Sequence, residues 1–182
     1  EAFPGDPRRV LRRALERVAE RGWKFNVGPE PEFFLLRRNG PDAVHPVPHD
    51  VGGYFDFSAS DEAQRVRNEL MLALSGMGLE VEMGHHEVAL GQHEIDFRFD
   101  DALRTADHVI TLKYTVKALA AQHGLVATFM PKPIFGINGS GMHTHQSIFD
   151  NRGKNLFFDA SDQHRLSSIA YGFIAGQIAH AR

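Results

Sequence analysis

Val27-Gly-Pro-Glu-Pro-Glu-Phe-Phe-Leu-Leu36 is the stretch from which the rest of the chain is read. Its apolar half predicts a strand entering a hydrophobic core. Glu30 and Glu32 stand at its head, two positions apart. Side chains alternate between the faces of a strand, so both carboxylates point the same way. Like charges beside buried apolar surface repel and lose solvation. Such a pair implies a cationic partner.

The 182 residues suffice for one domain or for part of a larger one. The net charge of −3, with no basic stripe interleaved with aromatics, argues against a dedicated nucleic-acid binder. No cysteine is present, which excludes disulfides and thiolate metal sites and suits a reducing cytoplasm. No apolar run reaches membrane-spanning length, and the charged N-terminus does not resemble a signal peptide.

Asp6-Pro7 reads as a cap and first turn of a helix whose apolar positions are Val10, Leu11, Ala14, Leu15, Val18 and Ala19, ended by Gly22. A strand is expected from Trp23 to Arg38, a loop from Gly40 to Asp50, and a short strand at Gly53–Phe57. Ser58 or Ser60 is expected to cap a second helix reaching Met77, with Val66, Leu70, Ala73, Leu74 and Met77 facing inward. Leu79–Met83 and Glu87–Phe99 read as extended. A long helix is expected from Asp100 or Asp101 to Gly124, then strands at Leu125–Met130 and Met142–Phe149. A turn at Asp150–Gly153 leads to a pairing of Asn155–Phe158, and Ser161–Arg182 reads as a closing helix. Neighbouring strands often lack an intervening helix. The predicted class is therefore α+β with a largely antiparallel sheet.

Polar groups occupy apolar places in two further segments: His85-His86-Glu87 with Gly91-Gln92-His93-Glu94, and Met142-His143-Thr-His145-Gln-Ser147. In the last, His143, His145 and Ser147 share one strand face. Glu87 and Glu94 lie seven apart, on opposite faces of an unbroken strand, and converge only if the chain turns, as Gly91 permits. Four carboxylates and an imidazole could then meet. An oxygen-rich set of this kind suits Mg²⁺ or Mn²⁺ better than zinc. Taken singly, Glu-x-Glu is commonly a solvated strand edge and His-His-Glu a surface turn. His86-Glu87 lacks zincin spacing, and Gly136-Ile-Asn-Gly139-Ser-Gly141 precedes a strand rather than the helix of a dinucleotide site.

In joint order the motifs resemble the catalytic domain of type I glutamine synthetase. They are Gly28-Pro-Glu-Pro-Glu32, His85-His86-Glu87 with Gly91-Gln92-His93-Glu94, Lys132-Pro133, and Asn138-Gly139-Ser140-Gly141-Met142-His143 with Ser147. Lys132 to Ser147 is similar throughout to the family's ATP-region signature. The resemblance implies two Mg²⁺ or Mn²⁺ sites. Glu32, Glu87 and Glu94 would hold the ion near glutamate, and Glu30 and His143 the ion against the ATP phosphates. It further implies that Asn138 and Gly139 border the glutamate site, while Glu82, His85, Phe99, His145 and Ser147 contact nucleotide.

The implied reaction is ATP-dependent formation of γ-glutamyl phosphate and its capture by ammonia to give glutamine. The resemblance also implies a cytoplasmic homo-oligomer, a dodecamer in the family, whose neighbouring subunit completes the ammonium pocket. Residues 1–182 correspond to the N-terminal part of the catalytic domain. The small β-grasp domain, the arginines and flap carboxylate, and the remaining metal carboxylate belong to other parts of the family's chain. The polypeptide as given is therefore expected to be inactive by itself. Relatives that join glutamate to polyamines or methylamine, and non-catalytic relatives that have lost metal ligands, are the competing readings.

Overall fold

A computed structural model describes residues 3–38, 40, 45–57 and 62–181. In chain order the elements are α1 (Pro7–Ala19), β1 (Trp23–Arg37), α2 (Glu62–Gly76), β2 (Val81–His86), β3 (Gln92–Phe97), β4 (Asp100–Asp101), α3 (Ala102–Gln122), β5 (Leu125–Thr128), β6 (Met142–Asp150) and α4 (Ser168–His180). They fall into two compact units, Gly28–Phe99 with Thr105–Thr144, and Glu1–Val27 with Asp100–Arg104 and His145–Arg182. The class is α+β with antiparallel strand pairing, as the sequence predicts.

The larger unit is organised by β1. It pairs with β3 through Glu32↔Glu94, Phe33↔His93 and Phe34↔Gln92, and with β5 from Phe34↔Thr128 to Arg37↔Leu125. β2 and β3 form a hairpin in which His85 faces Glu94 and His86 faces His93. Alternation then sorts the side chains. Phe33 and Leu35 of β1, with Ile95 and Phe97 of β3, pack against Val66, Leu70 and Leu74 of α2 and Leu112, Val116 and Ala120 of α3. Full burial of each large apolar side chain is worth about 1.5–3 kcal/mol, so this layer holds the sheet to its helices. The opposite face carries Glu30 and Glu32, followed by a smaller cluster of Phe34, Leu36 and Ala89.

The helix faces are recovered incompletely. Met77, expected inside α2, is 56% exposed, because the helix stops at Gly76 and Gly78 turns the chain with φ +89°. Ser58 and Ser60, the expected caps, lie outside the described residues. Gly53–Phe57 is a turn, not a strand. The Asp56 amide donates to the Gly53 carbonyl at 2.9 Å, and Phe55 has φ +56°. Gly124 ends α3 at φ +70°, as read.

In the smaller unit the Asp6 side chain caps α1 by accepting from the Arg8 amide at 3.1 Å. No residue of α1 is fully buried. Asp100 and Asp101 form the two-residue strand β4 against Val27 and Asn26 rather than opening the helix, although the Asp101 carboxylate still caps the Leu103 amide at 3.0 Å. The closing helix begins at Ser168, capped by Ser167, later than read. The Asp162 carboxylate accepts from the His164 and Leu166 amides at 2.8 and 3.2 Å, holding that segment in turns. Phe25 and Phe157 pack on Phe173 of α4, with ring centroids 6.0 and 5.1 Å apart. Asn155 pairs with Phe149, as expected. Among the described residues no helix is long and apolar enough to cross a membrane.

Candidate metal and substrate site

The polar face of the sheet in the larger unit closes into a cavity of about 390 Å³ lined by Glu30, Glu32, Tyr54, Phe55, Met83, His85, Glu87, Glu94, Asp96 and His143. Strand parity explains most of this list. Glu30 and Glu32 come from β1. Glu94 and Asp96 come from alternate positions of β3, and His85 sits on β2 opposite Glu94. Glu87 follows the end of β2, where its amide donates to the Gln92 carbonyl at 2.8 Å and closes the hairpin. The turn expected at Gly91 is real, with φ +70°. A Cβ there would stand 2.8 Å from the Leu35 carbonyl oxygen, so both the conformation and the close approach call for glycine.

Ligand atoms of His85, Glu87 and Glu94 lie within 4.8 Å of one another. His85 Nε2 is 3.2 Å from Glu94 Oε2, and its Nδ1 is 3.6 Å from Glu87 Oε1. The Phe55 ring stacks on the His85 imidazole at 4.3 Å, 13° from parallel. His143 Nδ1 and Glu30 Oε2 are 3.4 Å apart. The structure thus brings Glu30 and His143 together, and sets His85 beside Glu87 and Glu94.

The electrostatics of the bowl suit a cation. Burial, the Asp96 charge, and the nearby Glu87 and Glu32 carboxylates push Glu94 up to about 9. Burial and the Glu30 charge raise Asp96. Glu94 Oε1 and Asp96 Oδ1 are buried with no hydrogen-bond partner. Orphaned carboxylate oxygens crowded at this density cost free energy that a hard divalent cation removes, so the residues fit such an ion.

Sequence reading missed Gln92 and Asp96. The Gln92 side chain is 1% exposed and joins three segments. Its Nε2 donates to Glu32 Oε2 at 2.5 Å and to the Gly139 carbonyl at 3.0 Å, and its Oε1 accepts from the Ala89 amide at 3.1 Å. Asp96 was legible as the position after Glu94 on the same strand face. Gly139 is half-buried and bound to this network. An added Cβ would collide with the Pro131 carbonyl, while Asn138 is exposed. Glu82, on the β2 bulge, and Phe99, 50% exposed beneath the Arg98 guanidinium, lie outside the cavity lining. His145 and Ser147 belong to the smaller unit, His145 exposed and Ser147 half-buried.

The fold and the bowl of carboxylates and imidazoles are those of a catalytic domain of known family, as comparison with known proteins shows. The family model described as glutamine synthetase, catalytic domain, matches residues 4–182. The glutamine synthetase of Halobacterium salinarum is 50% identical over 180 residues, covering 99% of this chain and 40% of that protein. That of Methanococcus maripaludis is 52% identical over 181 residues, with coverage of 99% and 40%. Among solved structures, ligand-free GmaS superposes with a TM-score of 0.88 at 37% identity, covering 100% of this chain and 43% of that one. A Plasmodium falciparum glutamine synthetase gives 0.87 at 27% identity, with coverage of 100% and 41%. The chain belongs to the glutamine synthetase catalytic-domain family. It spans about 40% of the length of the curated relatives it matches.

Proposed function

We propose that this chain forms the N-terminal part of the catalytic domain of an enzyme that joins ammonia to the γ-carboxylate of glutamate at the expense of ATP, through γ-glutamyl phosphate. The observation that carries the reading is the convergence of Glu30, Glu32, Glu87, Glu94, His85 and His143 on one cavity. Glu32, Glu87 and Glu94 would hold one Mg²⁺ or Mn²⁺, and Glu30 and His143 would contribute to a second. Bound there, such ions supply charge neutralisation for phosphoryl transfer between two anions.

The chain's own residues do the positioning. Gln92 fixes one Glu32 oxygen and ties the Gly139 backbone to it, so the proposed glutamate-side loop and a metal-side carboxylate move together. Phe55 covers one face of His85 and limits its swing. Asn138 and Gly139 would border glutamate, and Glu82, His85, Phe99, His145 and Ser147 would meet nucleotide. A cytoplasmic homo-oligomer whose neighbouring subunit completes the ammonium pocket belongs to the same reading, which rests on family membership. The reading is tested by Glu32→Gln in the full-length enzyme. Loss of Mn²⁺ affinity with a fall in kcat of about 10²–10³-fold is expected, and unchanged binding and turnover would remove it.

A second reading keeps the ligation and changes the amine. It has the weaker support, since the identity to GmaS, a neighbour also seen with ADP, is 37% against 50–52% to the glutamine synthetases. Product formation with ammonium against methylamine or putrescine decides between the two.

A further inference from the structure

Behind the same strands, on the face turned to α2, lies a second polar cluster that the proposed reaction does not use: Asp50, Arg67, His86 and His93. Ligand atoms of Asp50, His86 and His93 come within 4.8 Å of one another. His93 and His86 are 0% and 1% exposed.

The hydrogens can be assigned from the partners. Arg67 Nη1 lies 2.8 Å from His93 Nδ1. A guanidinium only donates, so Nδ1 accepts and the ring hydrogen sits on Nε2, which is 3.6 Å from Asp50 Oδ2, beyond hydrogen-bond distance. His86 Nδ1 is 2.6 Å from the Glu87 carbonyl and its Nε2 is 3.0 Å from Asp50 Oδ1. Both partners only accept, so both nitrogens of His86 donate. Burial opposes that charged ring, and the hydrogen bonds to Asp50 and to the Glu87 carbonyl, together with the Asp50 charge, offset the penalty. The guanidinium beside His93 also makes this cluster a poor host for a metal.

Asp50 Oδ1 also accepts from the Gly91 amide at 2.8 Å. One carboxylate therefore grips both ends of the turn between β2 and β3: Gly91 directly, and the Glu87 peptide through His86. The His86 ring packs closely against Gly52, where an added Cβ would approach it to 2.8 Å. A buried carboxylate with two imidazoles is often no more stabilising than apolar side chains filling the same space.

We propose that Asp50 is a positioning residue that acts through His86 and Gly91 to hold the 87–91 turn, and with it the Glu87 carboxylate, in metal-binding geometry. This rests on the reading of Glu87 and Glu94 as ligands. Outer partners of metal ligands are typically worth 10–100-fold in affinity.

The test is Mn²⁺ binding to the full-length protein, followed by electron paramagnetic resonance, for wild type, Asp50→Ala, Asp50→Asn and Glu32→Gln. Asp50→Ala should weaken Mn²⁺ about 10–100-fold and speed amide exchange at residues 87–92 in the metal-free protein. Asp50→Asn keeps an acceptor for the Gly91 amide and should recover part of both. If Asp50→Ala melts earlier yet binds Mn²⁺ as wild type does, the residue is merely structural and the proposal fails. If Asp50→Ala does not fold, Asp50→Asn decides: a several-fold weaker affinity supports the proposal, and wild-type affinity overturns it. Should Glu32→Gln also leave Mn²⁺ binding unchanged, the metal reading has failed, and the positioning role falls with it. Weakened binding in Glu32→Gln but not in the Asp50 variants sinks the positioning role alone.

Discussion

Replacing Gln92 by leucine separates shape from hydrogen bonding at the centre of the site. The two side chains are close in volume, so the buried space stays filled while three hydrogen bonds vanish. Two of them, to the Gly139 carbonyl and from the Ala89 amide, are worth about 1 kcal/mol each, and the one to the Glu32 carboxylate about 1.5–3 kcal/mol. A buried leucine returns part of this, roughly 1–2 kcal/mol, which leaves a net loss of about 2–4 kcal/mol. With a denaturant slope of about 1–3 kcal/mol per molar urea, the midpoint should fall by roughly 0.7–4 M. The assay is urea unfolding of the full-length protein without metal, paired with Mn²⁺ titration, where Glu32 freed from its donor should lower affinity about tenfold or more. A midpoint shift under about 0.3 M together with wild-type Mn²⁺ affinity would show that Gln92 does not hold Glu32. Gln92→Glu sharpens the test. It sets a carboxylate against Glu32, so the metal-free protein should lose more stability than with leucine and recover more of it on adding Mn²⁺.

Three other outcomes follow from the same structure. Gly91→Ala should destabilise by about 2 kcal/mol or more, since a left-handed residue with a Cβ costs about 1–2 kcal/mol before the contact with the Leu35 carbonyl is added; thermal melting checks it. Phe33→Ala should cost about 3–5 kcal/mol by emptying a fully buried site between the sheet and its helices, read from the same melts. The pH dependence has a definite sign. Glu94 is raised from 4.5 to about 9 in the fold, so across that window the folded metal-free chain holds a proton that the unfolded chain has released. Its stability should therefore fall as pH rises through the window. Mn²⁺ takes the ionised form, so its stabilising effect on the melting temperature should be larger at about pH 8 than at about pH 5.5, and equal effects would contradict the crowding of carboxylates around Glu94.

What the sequence made legible, and what it hid, follows from one distinction. Alternation and helical spacing report on a single element, and there most of the reading was sound. β1 buries Phe33 and Leu35 on one face and presents Glu30 and Glu32 on the other, and Gly22 and Gly124 mark helix ends with φ +71° and +70°. Contacts between elements depend on register, which composition does not carry. Gln92 reaches Glu32 diagonally across a strand pair, and Asp50 reaches Gly91 from a loop that reads only as rich in proline, glycine and histidine. The aromatics of Gly53–Phe57 mimic a strand because stacking on His85 and pairing in a sheet select the same residue types.

The separation of Glu87 from Glu94 makes the same point most sharply. Within one strand an odd separation parts two side chains. Across this hairpin His86 faces His93, His85 faces Glu94 and Gly84 faces Ile95, so the facing pairs between the turn and the bulge at Glu82 are oddly separated. Residues at odd separation then share a face as a rule, and Glu87 belongs with Glu94 because the chain has reversed. The spacing that argues against convergence in a straight strand is the one a hairpin requires, and the glycine at position 91 is the residue that tells the two cases apart.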